Sequence, residues 1–148
     1  MKIYRSIDDG YNLSTLYASA YNFLDESDEG GHELVHYHYA LMVVETSRHE
    51  IFGCFITGYP MHQRGTPFVG TAESFVFTFG KEGFKPYLAT NRNEWFMLCE
   101  LECLTIGSGD DGPALRIDRD LNMGTTNACE TFDSPMLVEG EKHVDDEF

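Results

Sequence analysis

The sequence predicts a mostly β fold of the α+β kind: a two-sheet antiparallel β-sandwich with a few flanking helices. One helix-spaced segment near the N-terminus is followed by at least six short β-branched or aromatic runs with glycine turns between them. The length of 148 residues suits one domain, predicted to span 1–148. Apolar residues make up 42% of the chain and aromatic residues 14%, enough to fill a core between two sheets.

The elements are predicted in order along the chain. Residues 13–24 carry apolar side chains at helical spacing, and Asn12 is placed to cap that helix. An acidic loop, 25–31, ends in two glycines. In residues 74–80, Phe75, Phe77 and Phe79 alternate with other residues, which predicts a strand whose phenylalanine face is buried. Further strands are predicted at 37–45, 51–59 and 113–118, with two or more within 86–91 and 94–107, although 94–107 also suits a helix.

Charge and composition narrow the classes of function. The net charge of −15 argues against nucleic acid and anionic membranes as direct partners, and it suits a basic protein partner or simple solubility. No apolar run approaches the ~18 residues that a membrane span requires, and the N-terminus lacks a signal-peptide pattern. We therefore expect a cytoplasmic protein without membrane insertion.

The four cysteines are Cys54, Cys99, Cys103 and Cys129, and none forms a C-x-x-C pair. Their apolar surroundings predict buried thiols rather than a disulfide or a zinc site.

The stretch "HELVHYHY", 32–39, contains the H-E-x-x-H pattern of zinc peptidases, with His32 and His36 as ligands and Glu33 as general base. That pattern requires a helix, but two glycines precede it and strand-forming residues follow it. On a strand the two histidines would stand ~13 Å apart, too far to share a zinc ion with ligands at ~2 Å. We interpret the match as coincidental and expect no metal.

His32, His36 and His38 nevertheless lie beside the acidic loop. Because histidine titrates near neutral pH, they predict a pH-sensitive patch for a protein partner.

Two other motifs predict turns rather than sites. "DRDLN", 118–122, resembles the first half of a calcium loop, but Met123 stands where glycine is needed and Cys129 where glutamate is needed. Asp118 and Asp120 are predicted to organise a turn. "GSGDDG", 107–112, carries acidic residues where a phosphate would require positive potential, so it predicts a turn between strands. No catalytic residues and no cofactor are predicted.

Several segments together resemble the TLDc domain family. "IFGCFITGYP" is similar to its "vFGaf" strand and "FVGTAESFVFTF" to its "G-T-x-E-x-F-L-F" segment. "LTIGSGDDGPALRIDRDLNMGTTNACETFDSPML" is similar to its longest signature: a Gly-rich turn, a "gLwlD-x-DL" strand and then "G-x-S-x-x-C-x-T-F-n-x-x-L". "DGYNLSTLY" resembles its helix start. The motif residues, mainly structural by this resemblance, are Gly53, Gly70, Thr71, Glu73, Phe75, Gly107, Gly109, Asp118, Asp120, Gly124, Cys129, Thr131 and Phe132.

The resemblance implies a eukaryotic, non-catalytic interaction domain. Family members are linked to oxidative-stress resistance, to endolysosomal and synaptic trafficking, and to binding of the vacuolar proton-pumping ATPase. The wording of residues 120–135 is most similar to TLDc domains attached to Rab-GAP-like TBC domains. Compared with the family pattern, the chain lacks a first helix and a last strand, so we expect it to be a fragment of a larger protein.

Two alternatives remain open at this point. The first is a structural accessory subunit of another large complex. The second, from the enzyme class, is a metal-dependent hydrolase acting through His32, Glu33 and His36.

Overall fold

A computed structural model describes residues 4–26, 38–63, 65 and 67–139. Within those residues, eight strands form two four-stranded antiparallel sheets, and two helices accompany them, which confirms the predicted mostly β sandwich. The elements are α1 (Ser6–Asp9), α2 (Leu13–Glu26), β1 (Tyr39–Glu45), β2 (Ile51–Thr57), β3 (Phe75–Gly80), β4 (Gly83–Leu88), β5 (Met97–Cys99), β6 (Cys103–Ile106), β7 (Leu115–Asp118) and β8 (Gly124–Thr125).

Each sheet follows the order of the sequence. The first sheet is β1-β2-β3-β4 and the second is β5-β6-β7-β8. Consecutive strands are antiparallel neighbours, which need no crossover, and most connections are short turns, whereas the longer segment 58–74 joins β2 to β3. The segment 94–107, ambiguous in the sequence, forms β5 and β6, joined by a turn in which the Glu100 N–H donates to Cys103 O at 2.9 Å.

Helix α2 begins where the sequence predicts. Asn12 Oδ1 accepts the N–H of Ser14 at 2.8 Å, which satisfies one of the free donors of the first turn. The N–H of Leu13 donates to Arg119 O at 2.8 Å and so attaches the helix start to the turn after β7. Leu13 and Tyr17 are buried one turn apart, as an amphipathic helix requires.

The core lies between the two sheets and is closed by α2 and by the segment that follows β8. Inward-facing side chains of both sheets meet in one cluster. The first sheet contributes Phe52, Cys54, Ile56 and Val76; the second sheet contributes Met97, Cys99, Leu104, Ile106, Leu115 and Ile117; and the later segment contributes Phe132, Leu137 and Val138.

The prediction that the phenylalanine face of residues 74–80 is buried is wrong about which face meets the core. Val76 lies in the core cluster, whereas Phe75 is half-buried and Phe79 is 53% exposed on the opposite face. Phe77 is buried on that opposite face because its ring lies against Gly53. Both faces of this strand are apolar, so alternation alone does not tell them apart.

Helix α1 is a single turn that the sequence analysis did not predict. The N–H groups of Asp8 and Asp9 both donate to Arg5 O, at 2.9 and 2.8 Å, and the Arg5 N–H donates to Asp9 Oδ2 at 2.7 Å. A turn this short carries too few residues for a periodic pattern.

Candidate functional site

Two motif glycines lie where backbones approach each other closely. A Cβ at Gly53 would stand 2.0 Å from Met42 O, so only glycine lets β1 pair with β2 at this point. Gly107 has a φ of +71°, and a Cβ there would lie 2.7 Å from Cys129 Sγ. Both positions serve the packing of the sandwich.

The buried hydroxyl of Thr131 is the centre of a partly buried junction, formed by Thr90, Asn93, Ser108 and Thr131 and called the Thr131 junction below. Thr131 Oγ1 accepts the N–H of Ser108 at 2.9 Å. Its single hydrogen has two acceptors, Asn93 Oδ1 at 2.8 Å and Ser108 O at 3.0 Å. Thr131 O in turn accepts the N–H of Thr90 at 2.9 Å. The junction therefore joins three separate loops.

Cys129 and Phe132 flank this junction. The N–H of Cys129 donates to Ser134 O at 2.9 Å and its thiol donates to Ser108 O at 3.4 Å. Phe132 is buried, with its ring 6.2 Å from that of Phe96. Gly109 lies against Glu130, so the turn 107–112 and the segment 129–134 pack together.

The aspartate that ends β7, Asp118, and the one that follows it, Asp120, differ in role. Asp118 Oδ1 accepts the N–H groups of Asn122 at 3.0 Å and Met123 at 3.2 Å, which organises the turn into β8. Asp120 is exposed, 3.9 Å from Arg119 Nε. Gly124 begins β8 and is buried. Asp118 organises the turn through side-chain to backbone bonds, whereas the contact shown for Asp120 is with the exposed Arg119 side chain.

The "G-T-x-E-x-F" residues lie at the entry to β3. The Thr71 hydroxyl bonds the Thr57 hydroxyl, and Thr71 O accepts the Ser74 N–H at 3.0 Å. Gly70 lies against Phe96, Glu73 is exposed, and Phe75 leads into the strand. These contacts hold the loop before β3 against β2.

Of the three histidines in the predicted pH-sensitive patch, the structure describes only His38. His38 lies directly before β1, and its carbonyl accepts the N–H of Gly58 at 3.0 Å. His32, Glu33 and His36 lie outside the described residues, and so does the H-E-x-x-H pattern. Among the residues that the structure does describe, no group of three or more His, Cys, Asp or Glu side chains is arranged to hold a metal ion.

The four cysteines are buried thiols that form no disulfide, as predicted. Cys54 is 0% exposed, and burial, with a smaller contribution from Cys99, raises the pKa of its thiol to about 12. Burial likewise raises the pKa of the Tyr17 hydroxyl, which donates to Cys103 O at 3.4 Å. A protonated, buried thiol is a poor nucleophile, so Cys54 serves packing.

A cleft of about 420 Å³ lies between residues 70–72, in the loop before β3, and the loop after β4. Its charged members are Arg92 and Glu94, and Arg92 is 3.9 Å from the carboxylate of Asp133. The lining is Gly70, Thr71, Ala72, Asn91, Arg92, Asn93, Glu94 and Phe96. Such groups donate and accept hydrogen bonds, but this lining pairs no nucleophile with a base.

The most conspicuous surface is the face of the first sheet that points away from the core. Each strand turns its alternate side chains outward there. Nearly all of them are apolar, and the one charged member is Glu45. We call this surface the exposed apolar face; its apolar side chains are Tyr39, Leu41, Val43, Ile51, Phe55, Phe75, Phe77, Phe79, Phe84, Pro86 and Leu88.

Aromatic rings run across this face from one edge of the sheet to the other. Tyr39 stacks on Phe55 with centroids 5.9 Å apart, Phe55 lies 5.3 Å from Phe75, and Phe75 lies 6.3 Å from Phe84. Leu41 on β1 is 66% exposed and Leu88 on β4 is 67% exposed. Within the described residues the face is continuous and its edge strands are open to solvent, whereas Phe77 at its centre is 5% exposed and Phe55 and Phe75 are half-buried.

This surface was not predicted from the sequence, where only residues 74–80 were assigned a buried face. The signal was present, because residues 39–44, 51–56 and 75–79 are apolar at almost every position rather than at alternate ones. Such runs are typical of strands covered on both faces.

Among the described residues, no helix has the length and apolar character needed to cross a membrane.

Comparisons with known proteins agree with the motif resemblance. The sequence model of the TLDc domain matches residues 1–146. Nuclear receptor coactivator 7 of Homo sapiens is 28% identical over 141 residues, covering 95% of this chain and 13% of that protein. Oxidation resistance protein 1 of Homo sapiens is 35% identical over 101 residues, covering 68% of this chain and 11% of that protein.

The same protein of Xenopus tropicalis is 29% identical over 142 residues, covering 96% of this chain and 14% of its own length. The chain thus spans less than a sixth of each of these relatives. The match of the domain model over nearly the whole chain, on motif residues that build the sandwich seen here, shows that the chain belongs to the TLDc domain family.

Proposed function

We propose that the chain is a non-catalytic protein-interaction domain. The observation that carries this proposal is the exposed apolar face. The largest contiguous apolar patch on a monomeric soluble protein is typically about 300–600 Å², and patches at or above the upper end of that range mark interaction surfaces. The motif residues Gly53, Gly107 and Thr131 are engaged in packing and buried hydrogen bonds, which supports a scaffold role for them.

The proposed partner is a large assembly, and the vacuolar proton-pumping ATPase is the first candidate. This choice follows from the TLDc family, whose members are linked to that enzyme and to oxidative stress. One relative carries the name oxidation resistance protein 1, which supports the link to stress. We place the protein in the cytoplasm, peripheral to endolysosomal or vesicle membranes through its partner.

Affinity purification of the full-length protein from cells, followed by quantitative mass spectrometry, tests the proposal. We expect ATPase subunits to co-purify well above the level recovered with an unrelated tagged protein. Recovery of a different assembly would favour the alternative of an accessory subunit elsewhere. Recovery of no assembly by folded protein would contradict an interaction domain.

A further inference from the structure

The exposed apolar face is large enough to serve as a complete docking surface. Six of its described side chains are at least half exposed. At ~100 Å² for each, they offer about 600 Å², at the upper end of the largest patches on monomers. A standard interface takes ~800 Å² from each partner. The residues at the rim of the face would therefore have to supply only the remaining ~200 Å².

The rim of the face carries an excess of negative charge. The charged residues at the strand ends and in the adjoining turns include the carboxylates Glu45, Glu50, Glu73 and Glu82 and the cations Arg48 and Lys81, and the ring of His49 lies 2.8 Å from the carboxylate of Glu45. Arg48 is already paired with Glu50, with 3.4 Å between Arg48 Nε and Glu50 Oε2. The whole chain has a net charge of −15. A partner with basic residues around an apolar centre would match both features.

The geometry of the face suits a helix. Four strands about 4.8 Å apart give a surface some 15–20 Å wide, which exceeds the ~10 Å diameter of one helix. A helix that buries an apolar stripe against a sheet is a standard layer arrangement, and its polar flanks then point to the rim. We propose that the exposed apolar face docks an amphipathic helix of a partner protein whose polar flanks are rich in lysine and arginine.

This inference rests on the proposed interaction function and adds the surface and the chemistry of the partner. A second copy of the chain fits less well, because two chains of the same strongly negative charge repel each other. A basic helix gains attraction from the same charge, so its binding weakens as salt is added.

Two synthetic helical peptides of ~18 residues provide the probe. Both carry leucines at positions i, i+3, i+4 and i+7, and one has lysines on its polar flanks while the other has glutamates. Their dissociation constants for the 148-residue chain are measured by fluorescence anisotropy. We expect the lysine peptide to bind at least about tenfold more tightly than the glutamate peptide, and less tightly as salt rises.

The face is tested by Leu41→Asn and Phe79→Asn, which remove apolar contact without adding charge. Leu101, in the turn between β5 and β6 of the second sheet, is 57% exposed, and Leu101→Asn is the matched control. We expect each face variant to raise the dissociation constant of the lysine peptide about tenfold, which is the effect of removing a residue at the centre of an interface. The control Leu101→Asn should leave that dissociation constant unchanged. Unchanged thermal unfolding midpoints verify that the variants fold.

Equal affinities for the two peptides, or binding indifferent to Leu41→Asn and Phe79→Asn, would overturn the proposal. Analytical ultracentrifugation of the chain alone is a second test. A dimer that dissociates on Leu41→Asn would show that a second copy of the chain occupies the face, and it would also overturn the proposal. The two proposals fail on different results: partners that co-purify equally with wild type and the face variants would exclude this surface but leave the interaction domain, whereas recovery of no partner by folded protein would contradict the interaction domain.

Discussion

The hydroxyl of Thr131 illustrates what the motif residues contribute at the scale of single side chains. It is 0% exposed and ties the turn 107–112 to the loop after β4. A buried donor left without its acceptor costs about 1–3 kcal/mol. The Thr131 junction should therefore be sensitive to loss of one oxygen atom.

Thr131→Val removes that oxygen while keeping the shape of the side chain. We expect the free energy of unfolding to fall by about 1–3 kcal/mol, because the Ser108 N–H loses its acceptor. Thr131→Ser keeps the hydroxyl and should lose less. Urea unfolding of the three proteins measures the difference, and a valine variant as stable as the serine variant would contradict the role assigned to the hydroxyl.

The buried thiol of Cys54 gives a prediction on pH. Its pKa rises from ~8.5 in an unfolded chain to about 12 in the fold. The folded state thus holds a proton that the unfolded state releases, and the stability that this provides is complete below the unfolded pKa and declines as pH rises through the window toward about 12.

We expect the wild-type free energy of unfolding to fall more steeply between about pH 9 and pH 11 than that of Cys54→Ala, by up to ~1.4 kcal/mol per pH unit. Tyr17 contributes to both proteins alike, so the comparison of slopes isolates the thiol. Denaturant unfolding across this range provides the slopes, and parallel lines would count against the raised pKa.

The role of a residue was predictable only where its side chain interacts with groups close to it in the sequence. Asn12 caps α2 and Asp118 organises its turn because these side chains bond backbone groups a few residues away. The contact of Thr131 with Asn93 spans 38 positions. A single sequence carries no local sign of such a contact, and only the family resemblance drew attention to Thr131.

At the scale of elements, the pairing of β1 with β2 depends on Gly53. Met42 O and the ring of Phe77 occupy the space that a side chain at this position would need. The glycine also explains why Phe77 is only 5% exposed on a face that is otherwise open. A methyl group here would separate two strands that form the centre and edge of the first sheet.

Gly53→Ala is expected to lower the free energy of unfolding by about 2 kcal/mol or more, because overpacking forces the backbone apart. Gly80→Ala is the matched control, since a Cβ at Gly80 meets no atom within 4 Å, and it should change stability by less than about 0.5 kcal/mol. Thermal unfolding of both variants measures the effect. Equal losses would show that the close approach at Gly53 is not limiting.

The types of the elements followed from the sequence, whereas the orientation of the strands did not. The helical period of 13–24 and the β-branched runs predicted α2, β1, β2 and β3 correctly. Alternation identifies the core face only when the other face is polar, as in the second sheet, where Thr105 and Arg116 point outward. In β3 both faces are apolar, and the prediction placed the phenylalanine face in the core, whereas Val76 on the other face lies there.

At the scale of the whole molecule, the two sheets present different surfaces. The outward residues of the second sheet include Thr105, Arg116 and Thr125, paired in register. The first sheet presents a continuous row of aromatic rings. A single sandwich needs only one apolar face on each sheet, and the second apolar face of the first sheet is the surface that we propose binds a partner.

The central claim, that this domain acts by binding through the exposed apolar face, is tested by comparing partner recovery across variants of the full-length protein. Wild type, Leu41→Asn, Phe79→Asn and Leu101→Asn are purified from cells, and the co-purifying ATPase subunits are quantified. The account predicts recovery with wild type and Leu101→Asn, and a loss of about tenfold with Leu41→Asn or Phe79→Asn. Recovery that is equal for all four proteins would contradict it.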